Sequence, residues 1–274
     1  MQQTGSMKKL KVIISGGGTG GHIFPALAIA KALEKKVDKV EFLFVGAEDR
    51  MEMEKIPAEG YKIVGLWISG LQRNFSRRNL LFPFKVVSSL LKARKTIKQF
   101  KPDLAIGTGG YASGPLLFAA ANNGVPSLIQ EQNSYPGITN KILAKYVQKV
   151  CVAYDNMERF FGNEKLIITG NPIREDILSF DTKVEEGRKL FGVDVSKPTV
   201  LVVGGSLGAR TINNAIAENI ADFETANVNL IWQTGISFQD QAKEITNKVG
   251  VDGIQAYTFI KDMDLAYAAA DVIV

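Results

Sequence analysis

The only histidine of the chain, His22, closes the run Gly16-Gly17-Gly18-Thr19-Gly20-Gly21-His22. Imidazole ordinarily titrates near neutral pH, so a histidine in such a loop is suited to accept a proton from a hydroxyl group. The glycines let backbone N–H groups approach a ligand and the following helix start adds partial positive charge, so phosphate or diphosphate is the natural guest. A second acid–base candidate, Glu131, lies in Gln130-Glu131-Gln132-Asn133. Two further glycine runs could border the same chemistry: 107–115, which carries Tyr111, and Gly204-Gly205-Ser206-Leu207-Gly208-Ala209-Arg210. Residue type and spacing leave the choice of base between His22 and Glu131 open.

Each glycine run sits between an apolar run and a helical pattern, the arrangement of a strand, loop and helix unit. The pattern predicts strands at 11–15, 40–46, 61–66, 103–107, 126–129 and 149–154, and then a strand and turn over 166–174 at which the chain is expected to leave this sheet. It restarts with strands at 198–203, 228–233 and 254–259 and ends in the apolar run 271–274. Helices are expected after Pro25, near 84, near Pro115, and at 138–146, 183–191, 211–220 and 239–249. A second nucleotide-type unit in one chain predicts two similar α/β domains facing a cleft, divided as 1–163 and 164–274. Gly16-x-Gly18-x-x-Gly21 also satisfies the dinucleotide fingerprint, but Glu48 and Asp49 lie just beyond the second strand, which weakens a dehydrogenase reading. Asp262-x-Asp264 is a literal DxD, read here as acidic residues in a helix's first turn rather than metal ligands. Cys151 reads as a buried strand thiol. At 46% hydrophobic content a core for each domain is available, and no run approaches the length of a membrane span. Residues 1–6 read as an extension before a start at Met7.

The net charge of +5 is unevenly spread: residues 61–102 hold ten Lys or Arg and no Asp or Glu. Arg73, Phe75, Arg77, Arg78, Leu80, Leu81 and Phe82 precede a helix in which Lys85, Lys92 and Lys95 are expected to share an outer face, with Val87, Leu90 and Ile97 towards the core. A basic, apolar surface of this kind fits an anionic membrane better than a merely solvated face. Nucleic acid is disfavoured because no recognition motif accompanies the charge.

The motifs GGGTGGH (16–22), GTGGYASGP (107–115), EQN (131–133), GNPIR (170–174) and GGSLGAR (204–210), with the closing FIKDMDLAYAAADVIV, span nearly the whole chain. Together they resemble glycosyltransferase family 28, whose members move N-acetylglucosamine from UDP-N-acetylglucosamine to lipid I, forming lipid II in peptidoglycan synthesis. The resemblance implies a GT-B fold of two Rossmann-like doubly wound domains, inverting chemistry, no cofactor and no catalytic metal. It assigns donor contacts to Thr19, Gly20, Gly21, Asn133, Arg174, Ser206 and the backbone of Ile260. His22 matches the family's loop histidine, and Tyr111 and Glu131 fall in motifs that line the cleft. It also implies a peripheral place on the cytoplasmic face of the bacterial inner membrane, with cell-wall synthesis proteins as possible partners. In the family the strand matching 271–274 is followed by a serine- and glycine-rich loop and an acidic helix that hold the donor, so this polypeptide is expected to have a partial donor domain and little activity. Two alternatives share the architecture: a UDP-N-acetylglucosamine epimerase and a non-catalytic UDP-sugar-binding module.

Overall fold

Alternating apolar runs and glycine turns give the chain its strands, and burial on both faces makes those strands parallel. The computed structural model describes residues 9–70, 81–173, 180–205, 208–251 and 253–274. The chain divides into two units, Met1–Arg174 and Glu175–Val274.

The first unit runs β1 (Leu10–Gly16), α1 (Gly20–Lys36), β2 (Val40–Ala47), α2 (Glu52–Ala58), β3 (Ile63–Leu66), α3 (Phe82–Phe100), β4 (Leu104–Gly109), α4 (Ser113–Asn122), β5 (Ser127–Glu131), α5 (Ile138–Leu143), β6 (Lys149–Val152), α6 (Glu158–Phe161) and β7 (Leu166–Ile168). Its sheet has the order β3-β2-β1-β4-β5-β6-β7, with every pairing parallel. Strand order reverses direction at β1/β4, the switch point at which doubly wound sheets bind ligands beyond the strand ends. The period of two divides β1 between cores: Val12 and Ile14 pack with Ile23, Leu27 and Phe44 on one face, and Ile13 packs with Ile97, Leu116 and Leu117 on the other.

The second unit continues with a 3₁₀ turn at Phe180–Lys183, then α7 (Val184–Leu190), β8 (Thr199–Val203), α8 (Arg210–Glu218), α9 (Ile220–Thr225), β9 (Asn229–Gln233), α10 (Gln239–Val249), β10 (Ile254–Tyr257), α11 (Met263–Ala269) and β11 (Val272–Ile273). Its order, β10-β9-β8-β11, repeats the winding of β3-β2-β1-β4. Trp232, fully buried, anchors one face with Leu230 and Phe238; Leu201 and Ile231 pack on the other with Ile260 and Ala266. Both units are thus Rossmann-like α/β, as expected.

Three expectations need correcting. The division falls after Arg174 rather than at 163/164, because Leu166–Ile168 pairs with β6 and completes the first sheet. Helix α1 begins at Gly20 and carries Pro25 inside it, rather than starting after the proline. On α3 the buried residues are Ser89, Ala93, Thr96 and Ile97, so Val87, 57% exposed, lies on the outer face and not towards the core.

Candidate active site

The loop between β1 and α1 is built around a peptide held at both ends. The Gly18 N–H donates to Glu52 Oε2 at 2.8 Å, and Glu52 Oε1 accepts the Ala47 N–H at 2.9 Å. On the other side of the same peptide, the Gly17 carbonyl accepts from His22 Nδ1 at 3.0 Å, with Thr19 Oγ1 3.3 Å from that nitrogen. A carbonyl can only accept, so the neutral ring carries its proton on Nδ1 and leaves the Nε2 lone pair unprotonated. Nε2 has no hydrogen-bond partner among the described residues. The ring packs on the second glycine loop, where a Cβ on Gly109 would stand 2.6 Å from His22 Cδ2. Gly110, at φ +90°, lies so close to the Gly17 carbonyl that its Cβ would come within 2.3 Å of that oxygen.

Much of the glycine content therefore serves close packing of one loop on another, not ligand approach. A Cβ on Gly17 would lie 2.1 Å from Glu52 Oε1, whereas Gly18 has open space. The N–H groups of Gly20 and Gly21, on the first turn of α1, have no partner among the described residues, and they are the donors left for an anion.

His22, Thr19, Tyr111, Glu131 and Asn133 come together around one pocket of about 360 Å³, which Arg50 and Asn140 also line. Tyr111, 45% exposed, lays its ring over Gly70. Glu131, at the last position of β5, is 1% exposed. Its Oε1 accepts from the Asn133 N–H and Asn133 Nδ2, both at 3.0 Å; its Oε2 accepts from the Gly137 N–H at 3.1 Å and Asn140 Nδ2 at 2.9 Å. Four donors leave this carboxylate little capacity to take a substrate proton, and its geometry is that of a loop organiser. Asn140 Oδ1, buried and without a partner among the described residues, is an acceptor at the pocket wall.

In the second unit the loop after β8 is clamped in a similar way. Gln233, the last residue of β9, donates from Nε2 to the Gly205 carbonyl at 3.1 Å and accepts the Ile260 N–H on Oε1 at 2.8 Å. Ile260 is 3% exposed with its N–H already bonded, so only its carbonyl remains for a ligand. Gly208, at φ +80°, would bring a Cβ to 2.0 Å from the Thr234 carbonyl. Asp264 accepts from Lys183 at 2.5 Å, which together with its place in the first turn of α11 accounts for the second acid of the DxD. Among the described residues no group of three or more His, Cys, Asp or Glu is arranged to hold a metal ion.

Residues 12–152 match the model of the glycosyltransferase family 28 N-terminal domain and residues 199–274 that of its C-terminal domain. The chain belongs to glycosyltransferase family 28. Among curated family relatives, the UDP-N-acetylglucosamine--N-acetylmuramyl-(pentapeptide) pyrophosphoryl-undecaprenol N-acetylglucosamine transferase of Christiangramia forsetii is 54% identical over 97% of this chain and 71% of that protein. The crystal structure of Acinetobacter baumannii MurG aligns with a TM-score of 0.69 at 31% identity, over 96% of this chain and 72% of that one. The UDP-GlcNAc 2-epimerase from Neisseria meningitidis aligns with a TM-score of 0.67 at 14% identity, over 97% of this chain and 76% of that one, a likeness of fold alone.

In this family 28 chain the expected donor residues Arg174 and Ser206 lie outside the described residues, as do Arg73, Phe75, Arg77, Arg78 and Leu80. On α3, Phe84, Val87 and Leu91 are 57–68% exposed along one stripe, with Leu81 just before it and Arg94, Lys95 and Lys98 exposed on its C-terminal half. Phe82 is half-buried. Lys92 is paired with Glu48 at 2.9 Å, a carboxylate from outside the basic segment, and Lys85 donates to Ser69 Oγ at 3.0 Å and lies over the Trp67 ring. Of the expected lysines, Lys95 is therefore the one that faces outward without such a bond among the described residues. No helix among the described residues is long and apolar enough to cross a membrane.

Sequence reasoning missed Glu52, Arg50, Asn140 and Gln233. Two carried a readable signal: Gln233 directly follows the apolar run Leu230-Ile231-Trp232, and Asn140 follows the EQN motif on the next helix. Glu52 carried none, because its role depends on a fold that brings α2 behind the loop.

Proposed function

We propose that the chain is an inverting hexosyltransferase that moves N-acetylglucosamine from UDP-N-acetylglucosamine to lipid I, giving lipid II. The names of curated relatives at about half identity support this substrate pair. The observation that carries the mechanism is the 3.0 Å contact of His22 Nδ1 with the Gly17 carbonyl, which in the neutral ring leaves the Nε2 lone pair for the pocket shared with Tyr111 and Asn133. The first unit takes the acceptor there. His22 Nε2 accepts the proton of the attacking hydroxyl as its oxygen bonds to the anomeric carbon, and the bond from that carbon to UDP breaks with the electrons going to the diphosphate.

Glu131 shapes the pocket rather than acting as base. Arg50 with the Gly20 and Gly21 N–H groups suits the acceptor's diphosphate, an alternative to the donor role that the resemblance gives Thr19, Gly20 and Gly21. The donor is held by Arg174, the last residue of the first unit, and in the second unit by Ser206 and the loop that Gln233 clamps. The apolar stripe and cationic half of α3 fit the anionic inner-membrane surface that presents lipid I, so the protein works as a peripheral enzyme on its cytoplasmic face. The test is lipid I-dependent UDP release by the parent and by His22→Ala. A loss of about 100-fold or more is expected for a missing general base. Unchanged release would exclude His22 as the base.

A further inference from the structure

Glu52 is 1% exposed, and no lysine or arginine of the described residues pairs with it. An uncompensated buried carboxylate is costly, so its two backbone hydrogen bonds must be well made. The backbone is shaped around it: a Cβ on Gly17 would lie 2.1 Å from Oε1, and one on Gly46 would lie 2.5 Å from Cγ.

We propose that Glu52 is the positioning residue that sets the tautomer of His22, acting through the Gly17–Gly18 peptide. One end of that peptide, the Gly18 N–H, is held by Glu52 Oε2; the other, the Gly17 carbonyl, accepts from His22 Nδ1. A peptide is planar with its N–H and C=O opposed, so fixing one end aims the other. Gly18 sits at φ +85°, a turn in which the adjoining peptide can rotate through half a turn at little steric cost. Rotated, the peptide would present its N–H to His22 Nδ1. The ring would then need its lone pair on Nδ1 and its proton on Nε2, the wrong form for a base at the pocket. Glu52 blocks this rotation because its carboxylate offers no donor to a turned carbonyl. Its charge also polarises the peptide and strengthens the Gly17 carbonyl as an acceptor.

The single histidine makes the test direct. With ¹⁵N-histidine incorporated, two-bond ¹H–¹⁵N spectra at about pH 8, where imidazole is ordinarily neutral, report which nitrogen carries the proton. The parent is expected to show a protonated Nδ1 and an unprotonated Nε2. Glu52→Gln keeps the shape but offers an NH₂ group where Gly18 or Ala47 already donates, so the Nε2–H form is expected to appear. Glu52→Asp, which keeps the charge but reaches only one of the two N–H groups, is expected to give a mixture and covers the case in which the amide fails to fold.

A parent spectrum with Nε2 protonated overturns the proposal, whatever the variants do. So does a folded Glu52→Gln or Glu52→Asp chain with the parent's spectrum. The kinetic consequence rests on the function proposed above. Glu52→Gln should lower kcat about 10- to 100-fold with the KM for UDP-N-acetylglucosamine within about twofold of the parent's. If His22→Ala retains turnover while the spectra behave as described, that functional reading fails and the positioning role stands.

Discussion

Replacing Glu131 separates a loop organiser from a catalytic base. The side chain is 1% exposed, and its two oxygens accept four hydrogen bonds of 2.9–3.1 Å from Asn133, Gly137 and Asn140. Hydrogen bonds to a charged group contribute about 1.5–3 kcal/mol each, but the four share one carboxylate and the loop regains some water when it is removed. A net loss of about 3–5 kcal/mol for Glu131→Ala follows. At this domain size it should lower the first unit's thermal midpoint by about 10 °C. Glu131→Gln should be nearly as damaging, because its NH₂ group must face either the Asn133 donors or those of Gly137 and Asn140. The assay is thermal unfolding followed by circular dichroism and calorimetry, with turnover measured on the same preparations. A base would behave in the opposite way, with Glu131→Gln inactive and normally stable. A folded Glu131→Gln chain melting within about 2 °C of the parent would refute the reasoning.

Asp264 is held below the ordinary aspartate range by its hydrogen bond from Lys183, partly opposed by burial. A depressed folded value stabilises above the ordinary range and is lost as pH falls through it, so Asp264→Asn should lower the urea midpoint at neutral pH and converge with the parent in acid. Gly124→Ala, at φ +72° with open space around it, should cost about 1 kcal/mol. Gly110→Ala, whose Cβ would meet the Gly17 carbonyl at 2.3 Å, should cost more than about 3 kcal/mol in the same denaturant assay. Burial pushes the Cys151 thiol up. A disulfide reagent at about pH 8 should therefore modify the native chain more slowly than a free thiol and accelerate on unfolding.

The strands and glycine turns were legible because an apolar run closed by glycine has few other ways to fold, and β1, β4 and β8 each fall on such a run. The loop residues His22, Tyr111 and Asn133 were legible for the same reason: strand ends in a parallel sheet share one edge. Other features depend on partners distant in sequence. The run 61–102 holds no acid, yet Lys92 is paired because β2 delivers Glu48 beside α3. Glycines that suggest a ligand-binding loop are in good part explained by Glu52 and Gly109–Gly110 packing against them, contacts that spacing cannot display. Helix α2 was not anticipated: seven residues with Pro57 near its end carry little periodic signal, and tertiary contact through Glu52 and Ile56 holds it in place. The break between units moved to Arg174 because β7 is an edge strand, half-exposed and only three residues long, whose apolar pattern does not reveal which sheet it joins.

The measurement that bears most directly on the central claim is the ratio of lipid I-dependent UDP release between the parent chain and His22→Ala, taken across pH. The ratio is informative at any absolute rate. The account predicts a fall of about 100-fold or more on substitution at every pH at which the parent turns over. Equal release by the two chains would contradict it.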